Sequence, residues 1–398
     1  MLSAEIGSKV AGMRVAILAN DVPPGFGVPV AAPGIRCWGL AEGLQRHGIE
    51  AWVMVPWHVL RRFFGEWAAI AAPRNCLVLH AEDVGEVLEA QRFDYIVLTN
   101  FNEFSHIHVP ESTGVVYDMF APKLLECLVS RGGEGGGRGE MQRLWERKAS
   151  ALRRASVLVV NGAKKINYAR RLASLAGASG KMKEVVVPMC LSIPGQGGLD
   201  EIVEWGIMEG GGGSGKIMMG GYLQEWAIPG AWALSVAEYA REGGWELEVV
   251  APEHWGGSNV GEPEALRYLK TFEHVCVSGS EPLESYLRRL GESRVFVDLF
   301  EESLERRYAM VTRTITALAA GVPVIHPPFT EVAPLVEKYD AGWLVKVEEE
   351  EYLAAIFRQE LSDETVVRGK KENALLLGKE VLDPERATAD LAKELWER

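Results

Sequence analysis

Short apolar runs, each followed by a turn and a helical pattern, recur along this chain, and that alternation restricts it to an α/β fold. MRVAILA at Met13–Ala19 precedes a helix at Gly34–His47, and Ala51–Pro56 supplies the next run. Further runs at Cys76–Leu79, Tyr95–Thr99, Val115–Tyr117, Val157–Val160 and Val185–Pro188 complete a first series. A second comprises Lys216–Gly221, Glu246–Val250, Val275–Ser278, Arg294–Asp298, Val322–Ile325 and Ala341–Val347. Most are apolar throughout, as parallel strands buried on both faces should be. Between the series lies Pro194–Gly215, with PGQGG and GGGGSG, a composition that marks a domain boundary. The expectation is two doubly wound, Rossmann-like domains facing a central cleft, spanning 13–195 and 216–380. Glu281–Leu290 reads as an exposed helix, and a last helix falls at Arg386–Glu397.

Glu305–Ile325 (ERRYAMVTRTITALAAGVPVI) carries the strongest functional signal. A helix is expected from Ala309–Met310 to Ala320, stopped by Gly321 and Pro323. Its N-terminus offers unpaired N–H groups and the positive dipole end, an anion site. Arg307, Thr312 and Arg313 surround that end, and Glu305 is placed to accept ribose or sugar hydroxyls. The constellation suits a nucleoside diphosphate. The competing reading is an arginine pair on a solvated face.

Other candidates sit where strands end. Gly25, Gly27 and Gly34 follow the first strand, and Arg36 stands at the next helix start, facing either a phosphate or solvent. Asn100–Val109 is a polar loop containing His106 and His108, but no cysteine or carboxylate cluster completes a metal site there. Asp118 ends a strand above the expected cleft, as a hydroxyl binder or as a helix cap. Gly220 and Gly221 let backbone approach a ligand, with Trp226 as a stacking surface or a core residue. Glu331 is a carboxylate at a helix start, with a donor hydroxyl as its alternative partner.

With 398 residues, 47% hydrophobic and 24% charged, the composition is ordinary for a two-domain globular protein. No apolar run reaches a membrane span, and residues 1–12 lack a signal-peptide core. Five scattered cysteines favour a reducing cytoplasm. Residues 1–199 hold 22 Lys and Arg against 18 Asp and Glu, whereas residues 200–398 hold 20 against 37. The acidic second half argues against nucleic acid as a partner. The basic run Arg143–Arg171 and the aromatic Trp57–Trp67 raise peripheral contact with the inner face of a membrane as a secondary expectation.

E-x-R-Y-A-x-x-T-R followed by A-L-x-A-G-x-P-V-I resembles the donor half of GT-B glycosyltransferases of the family 4 kind. P-G-x-R at Pro33–Arg36, D-x-x-x-P-x-x-L-E at Asp118–Glu126 and G-G-Y-x-x-x-W at Gly220–Trp226 resemble the same subgroup. The resemblance implies a GT-B fold whose C-terminal helix, residues 381–398, crosses back to the first domain. It implies transfer of a sugar from a nucleotide-diphosphate donor to a sugar, lipid-linked or small-molecule acceptor, with retention, without metal and without a cofactor. Asp118, Arg313 and Glu305 would serve the chemistry; Gly220, Gly221, Trp226, Arg307, Thr312, Arg313 and Glu331 would hold donor. Gly27, Gly34, Arg36, Asn100 and Glu126 would line the acceptor side. Val311 stands where the subgroup carries an arginine, and the usual pair of glutamates eight positions apart is absent. Those departures keep two alternatives open: an inactive binding or scaffold protein on this fold, and a sugar-nucleotide epimerase.

Overall fold

The computed structural model describes residues 12–65, 71–100, 107–129, 137–178, 182–193, 215–222, 230–252 and 262–398. Among the described residues thirteen strands fall into two sheets, and every pairing is parallel. The first sheet holds β1 (Arg14–Leu18), β2 (Glu50–Pro56), β3 (Cys76–Leu79), β4 (Tyr95–Thr99), β5 (Gly114–Met119), β6 (Ala155–Val160) and β7 (Lys183–Val186). Their order is β3-β2-β1-β4-β5-β6-β7. The second holds β8 (Lys216–Gly220), β9 (Glu246–Val250), β10 (Val275–Ser278), β11 (Val295–Val297), β12 (Val324–His326) and β13 (Gly342–Leu344), ordered β10-β9-β8-β11-β12-β13. Both are doubly wound, reversing direction between β1 and β4 and between β8 and β11. Ligands bind at such reversals, beyond the strands' carboxyl ends.

The cores follow from the unbroken apolar strands. One face of the first sheet packs Val15, Ile17, Val53 and Val97 under the helix Ala32–Arg46; the other packs Ala16, Leu18, Ile96 and Tyr117. Ala32–Arg46 starts two residues before the sequence reading placed it, with Pro33 in its first turn, where a missing N–H costs nothing. The helix Pro384–Trp396 crosses back onto the first domain, burying Leu391, Ala392 and Leu395 in that domain's core. Gly43 makes this approach feasible, because a Cβ there would stand 2.2 Å from the Pro384 carbonyl oxygen.

Two local expectations need correction. The helix expected at Glu281–Leu290 runs Leu283–Gly291 and is not exposed on all sides: Leu283, Leu287 and Leu290 are buried beneath it. Glu305–Ala320 is not one loop and one helix. A short turn of helix at Leu304–Arg307, capped by the Ser303 side chain accepting the Arg306 N–H, precedes the helix Thr312–Ala319. The expected domain boundary at Pro194–Gly215, Trp226 and His106 lie outside the described residues, Gly215 excepted.

Candidate functional site

A cavity of about 580 Å³ lies between the two sheets at their carboxyl edges. The first domain contributes Asn20 and Asp21 after β1, Arg62, and Phe120–Lys123 with Glu126 after β5. The second contributes Gly221 after β8, Glu281 after β10, Glu305 and Arg306, and the start of the helix Thr312–Ala319.

That helix begins with Val311 in an extended conformation and no side-chain cap, so its first N–H groups are left to whatever occupies the cavity. Arg313 lies across Gly221: a Cβ on that residue would come within 2.9 Å of the arginine Cδ, and its φ of +140° suits glycine alone. The Arg313 Nε donates to Asp298 Oδ1 at 2.7 Å. Arg306 and Glu305 are both nearly buried, with the Arg306 Nε 2.7 Å from Glu305 Oε2, and the Arg306 guanidinium covers the Phe300 ring. Burial pushes the Glu305 carboxyl upward, opposed by Arg306, while Glu126 adds to the rise. On the facing wall, Arg62 pairs with Asp21 at 2.8 Å and Lys123 with Glu126 at 2.7 Å.

Of the residues singled out in the sequence, Glu305, Thr312, Arg313, Gly221 and Glu126 meet in this cavity, and Gly220 supports it from the end of β8. Several others are placed differently. Arg307 is exposed and pairs with Glu302 at 2.6 Å, outside the cavity lining, because the turn Leu304–Arg307 points it outward. Arg36 and Asp118 are occupied with each other. Arg36 Nε donates to Asp118 Oδ2 at 2.9 Å and its Nη2 to Oδ1 at 3.0 Å, with both side chains fully buried. The remaining Arg36 donor serves the Val187 and Pro188 carbonyls, so neither residue is free to meet a phosphate or a hydroxyl. Glu331 also faces protein, accepting the N–H of Lys165 at 2.7 Å and of Lys164 at 3.1 Å.

Gly27 is exposed in the loop after β1, and Gly34 packs against the Val22 carbonyl; neither lines the cavity. Asn100 is wholly buried beyond β4, its backbone N–H donating to the Asp118 carbonyl. Its side-chain amide meets no hydrogen-bond partner among the described residues. Among those residues no group of three His, Cys, Asp or Glu is arranged to hold a metal, and no helix is long and apolar enough to cross a membrane.

Three residues of this site were missed. Arg306 reads as one more surface arginine, yet it lines the cavity. Asp298 follows β11 and His326 ends β12, both behind the cavity lining, and a polar residue closing an apolar run (VFVD, VIH) was the available signal.

No protein-family model matches the sequence, and no curated protein matches it. Solved structures share its fold. Sucrose-phosphate synthase from Thermosynechococcus elongatus superposes with a TM-score of 0.65 at 14% identity, covering 97% of this chain and 98% of that one. HepE of Anabaena, solved with UDP-glucose, gives 0.60 at 14% identity over 97% and 100%. WaaG, a glycosyltransferase of lipopolysaccharide biosynthesis, gives 0.60 at 12% identity over 96% and 99%. The architecture of this chain is GT-B: two doubly wound domains facing a cleft, with a C-terminal helix returning to the first.

Proposed function

We propose that this chain is a glycosyltransferase that moves a sugar from a nucleoside-diphosphate sugar to an acceptor hydroxyl. One observation carries the reading: the uncapped start of the helix Thr312–Ala319, with Arg313 beside it, opens into the cleft between the domains. Charge develops on the departing diphosphate during transfer. Fixed N–H dipoles and a guanidinium in a partly water-excluded site stabilise that charge without reorganising. Arg306 adds a second cation on the same wall, and Glu305 beside it is placed for a donor hydroxyl. These cations supply charge that a divalent metal would otherwise bring, which supports transfer without metal, and retention follows the family resemblance. HepE, the UDP-glucose-bound neighbour, supports a nucleotide sugar as partner.

The acceptor would enter beside Asn20, Lys123 and Glu126 on the first-domain wall. A cytoplasmic setting, with peripheral membrane contact through the basic helix Gly137–Arg154, completes the proposal. A non-catalytic binding protein is the second reading, favoured by Val311 and by the carboxylate already paired with each of Arg62, Lys123, Arg306 and Arg313. Incubation with a panel of nucleotide sugars, following release of free nucleoside diphosphate with and without EDTA, separates the two. Release from one donor, unchanged by EDTA, is the expected result. Binding of a nucleoside diphosphate with no release from any sugar conjugate would establish the second reading.

A further inference from the structure

Behind Arg313 runs a chain of polar contacts. Asp298 Oδ1 accepts the Arg313 Nε–H at 2.7 Å, and its Oδ2 accepts the Thr314 hydroxyl at 2.5 Å. Thr314 Oγ1 also lies 3.2 Å from His326 Nδ1, and His326 Nε2 lies 2.8 Å from Thr330 Oγ1. Thr330 Oγ1 in turn accepts the N–H groups of Val332 and Ala333, each at 3.2 Å. Asp298, Thr314, His326 and Thr330 are all buried.

The protons can be assigned by counting donors. Thr314 has one hydroxyl proton, and it goes to Asp298. Thr314 must therefore accept from His326, which puts the imidazole proton on Nδ1. His326 Nε2 then accepts the Thr330 hydroxyl, whose lone pairs take the two backbone donors. This arrangement satisfies every group in the chain. Burial pushes the His326 imidazole down to about 4, so it is neutral at ordinary pH, as this assignment requires.

The consequence falls on Arg313. Its Nε is fixed, its Cδ is held over Gly221, and its two terminal nitrogens make no hydrogen bond to the described residues. We propose that Asp298, Thr314 and His326 are positioning residues, which turn the Arg313 fork into the cleft toward a diphosphate group. The proposal rests on the donor-site reading above. It assigns that site's geometry to three side chains that lie behind the cation and outside the cavity lining. A long arginine chain left unsupported samples many rotamers, and fixing it beforehand lowers the cost of binding.

Thr314→Val keeps the shape and deletes the hydroxyl that joins Asp298 to His326, whereas Thr314→Ser restores it. In calorimetry with UDP, GDP and ADP, Thr314→Val is expected to weaken the nucleotide that wild type binds by about tenfold, and Thr314→Ser by less than about twofold. The same valine change made together with Arg313→Lys should cost less than about twofold further, because its effect passes through Arg313. An equal loss in both backgrounds, or no loss in either, overturns the proposal. A ligand-free readout keeps this separate from failure of the donor-site reading. The Arg313 Nε–H signal in protein labelled with 15N at arginine is identified by its loss in Arg313→Lys. It should exchange slowly in wild type and Thr314→Ser and fast in Thr314→Val. Equal exchange in all three overturns the proposal whether or not any nucleotide binds.

Discussion

The Glu331 carboxylate, carried on the second domain, accepts the backbone N–H of Lys165, the first residue of a helix in the first domain, at 2.7 Å. Its other oxygen accepts the N–H of Lys164, whose ammonium donates to the carbonyls of Phe329 and Thr330. Gly162 makes room, since a Cβ there would stand 2.3 Å from the Glu331 Cδ. Tyr168 and Tyr308 stack across the same boundary at 5.4 Å between ring centres. One carboxylate therefore caps a helix of the opposite domain and ties the two domains together at this boundary.

Removing that cap should loosen the two domains. Glu331→Ala leaves two helix N–H groups without an acceptor, a cost of about 1–2 kcal/mol. Small-angle scattering is expected to show a larger radius of gyration for Glu331→Ala and for Gly162→Ala than for wild type. An unchanged scattering curve would mean that the contact does not set the domain spacing.

Asp118 should behave as a structural anion. Asp118→Ala strands a buried guanidinium, and breaking such a pair costs about 3–5 kcal/mol. Urea denaturation is expected to show that loss. If stability held while sugar transfer vanished, the carboxylate would belong to the chemistry after all.

His326 gives stability a pH dependence of definite sign. The folded protein holds the imidazole near 4, depressed by burial from 6.5 in the unfolded chain. Between those values the unfolded chain takes up a proton that the native state refuses, so stability falls as pH drops from 6.5 toward 4. The contribution is on the order of 3 kcal/mol. Urea midpoints measured across that range should slope less in His326→Gln than in wild type. Parallel slopes would show that His326 is not the group responsible.

The fold was largely legible, because apolar runs such as Val53–Val55 and Val157–Val160 announce buried parallel strands without help from distant residues. The helix behind Arg313 was legible for the same local reason, through Gly321 and Pro323. Partner choice was not. Arg36 and Asp118 lie 82 positions apart, and a lone arginine at a helix start looks the same whether it meets ligand, water or a buried carboxylate. Arg307 stands out in the sequence because it fills the E-x-R position of the family pattern, and Arg306 carries no such mark. The short turn Leu304–Arg307, separate from the helix Thr312–Ala319, leaves Arg307 exposed and Arg306 buried against the cavity. Glu331 reads in the sequence as a donor-hydroxyl binder or as a carboxylate at the start of its own helix, whereas it caps Lys165–Leu175 of the other domain, which no local pattern encodes.

The central claim is that a diphosphate group sits at the start of the helix Thr312–Ala319, against Arg313. Calorimetry with UDP, GDP and ADP on wild type, Arg313→Ala and Arg307→Ala tests it most directly. Wild type is expected to bind at least one of them, Arg313→Ala to lose about 100-fold in affinity, and Arg307→Ala to stay within about twofold. Retained affinity in a folded Arg313→Ala protein, or no binding of any of the three by wild type, would contradict the account.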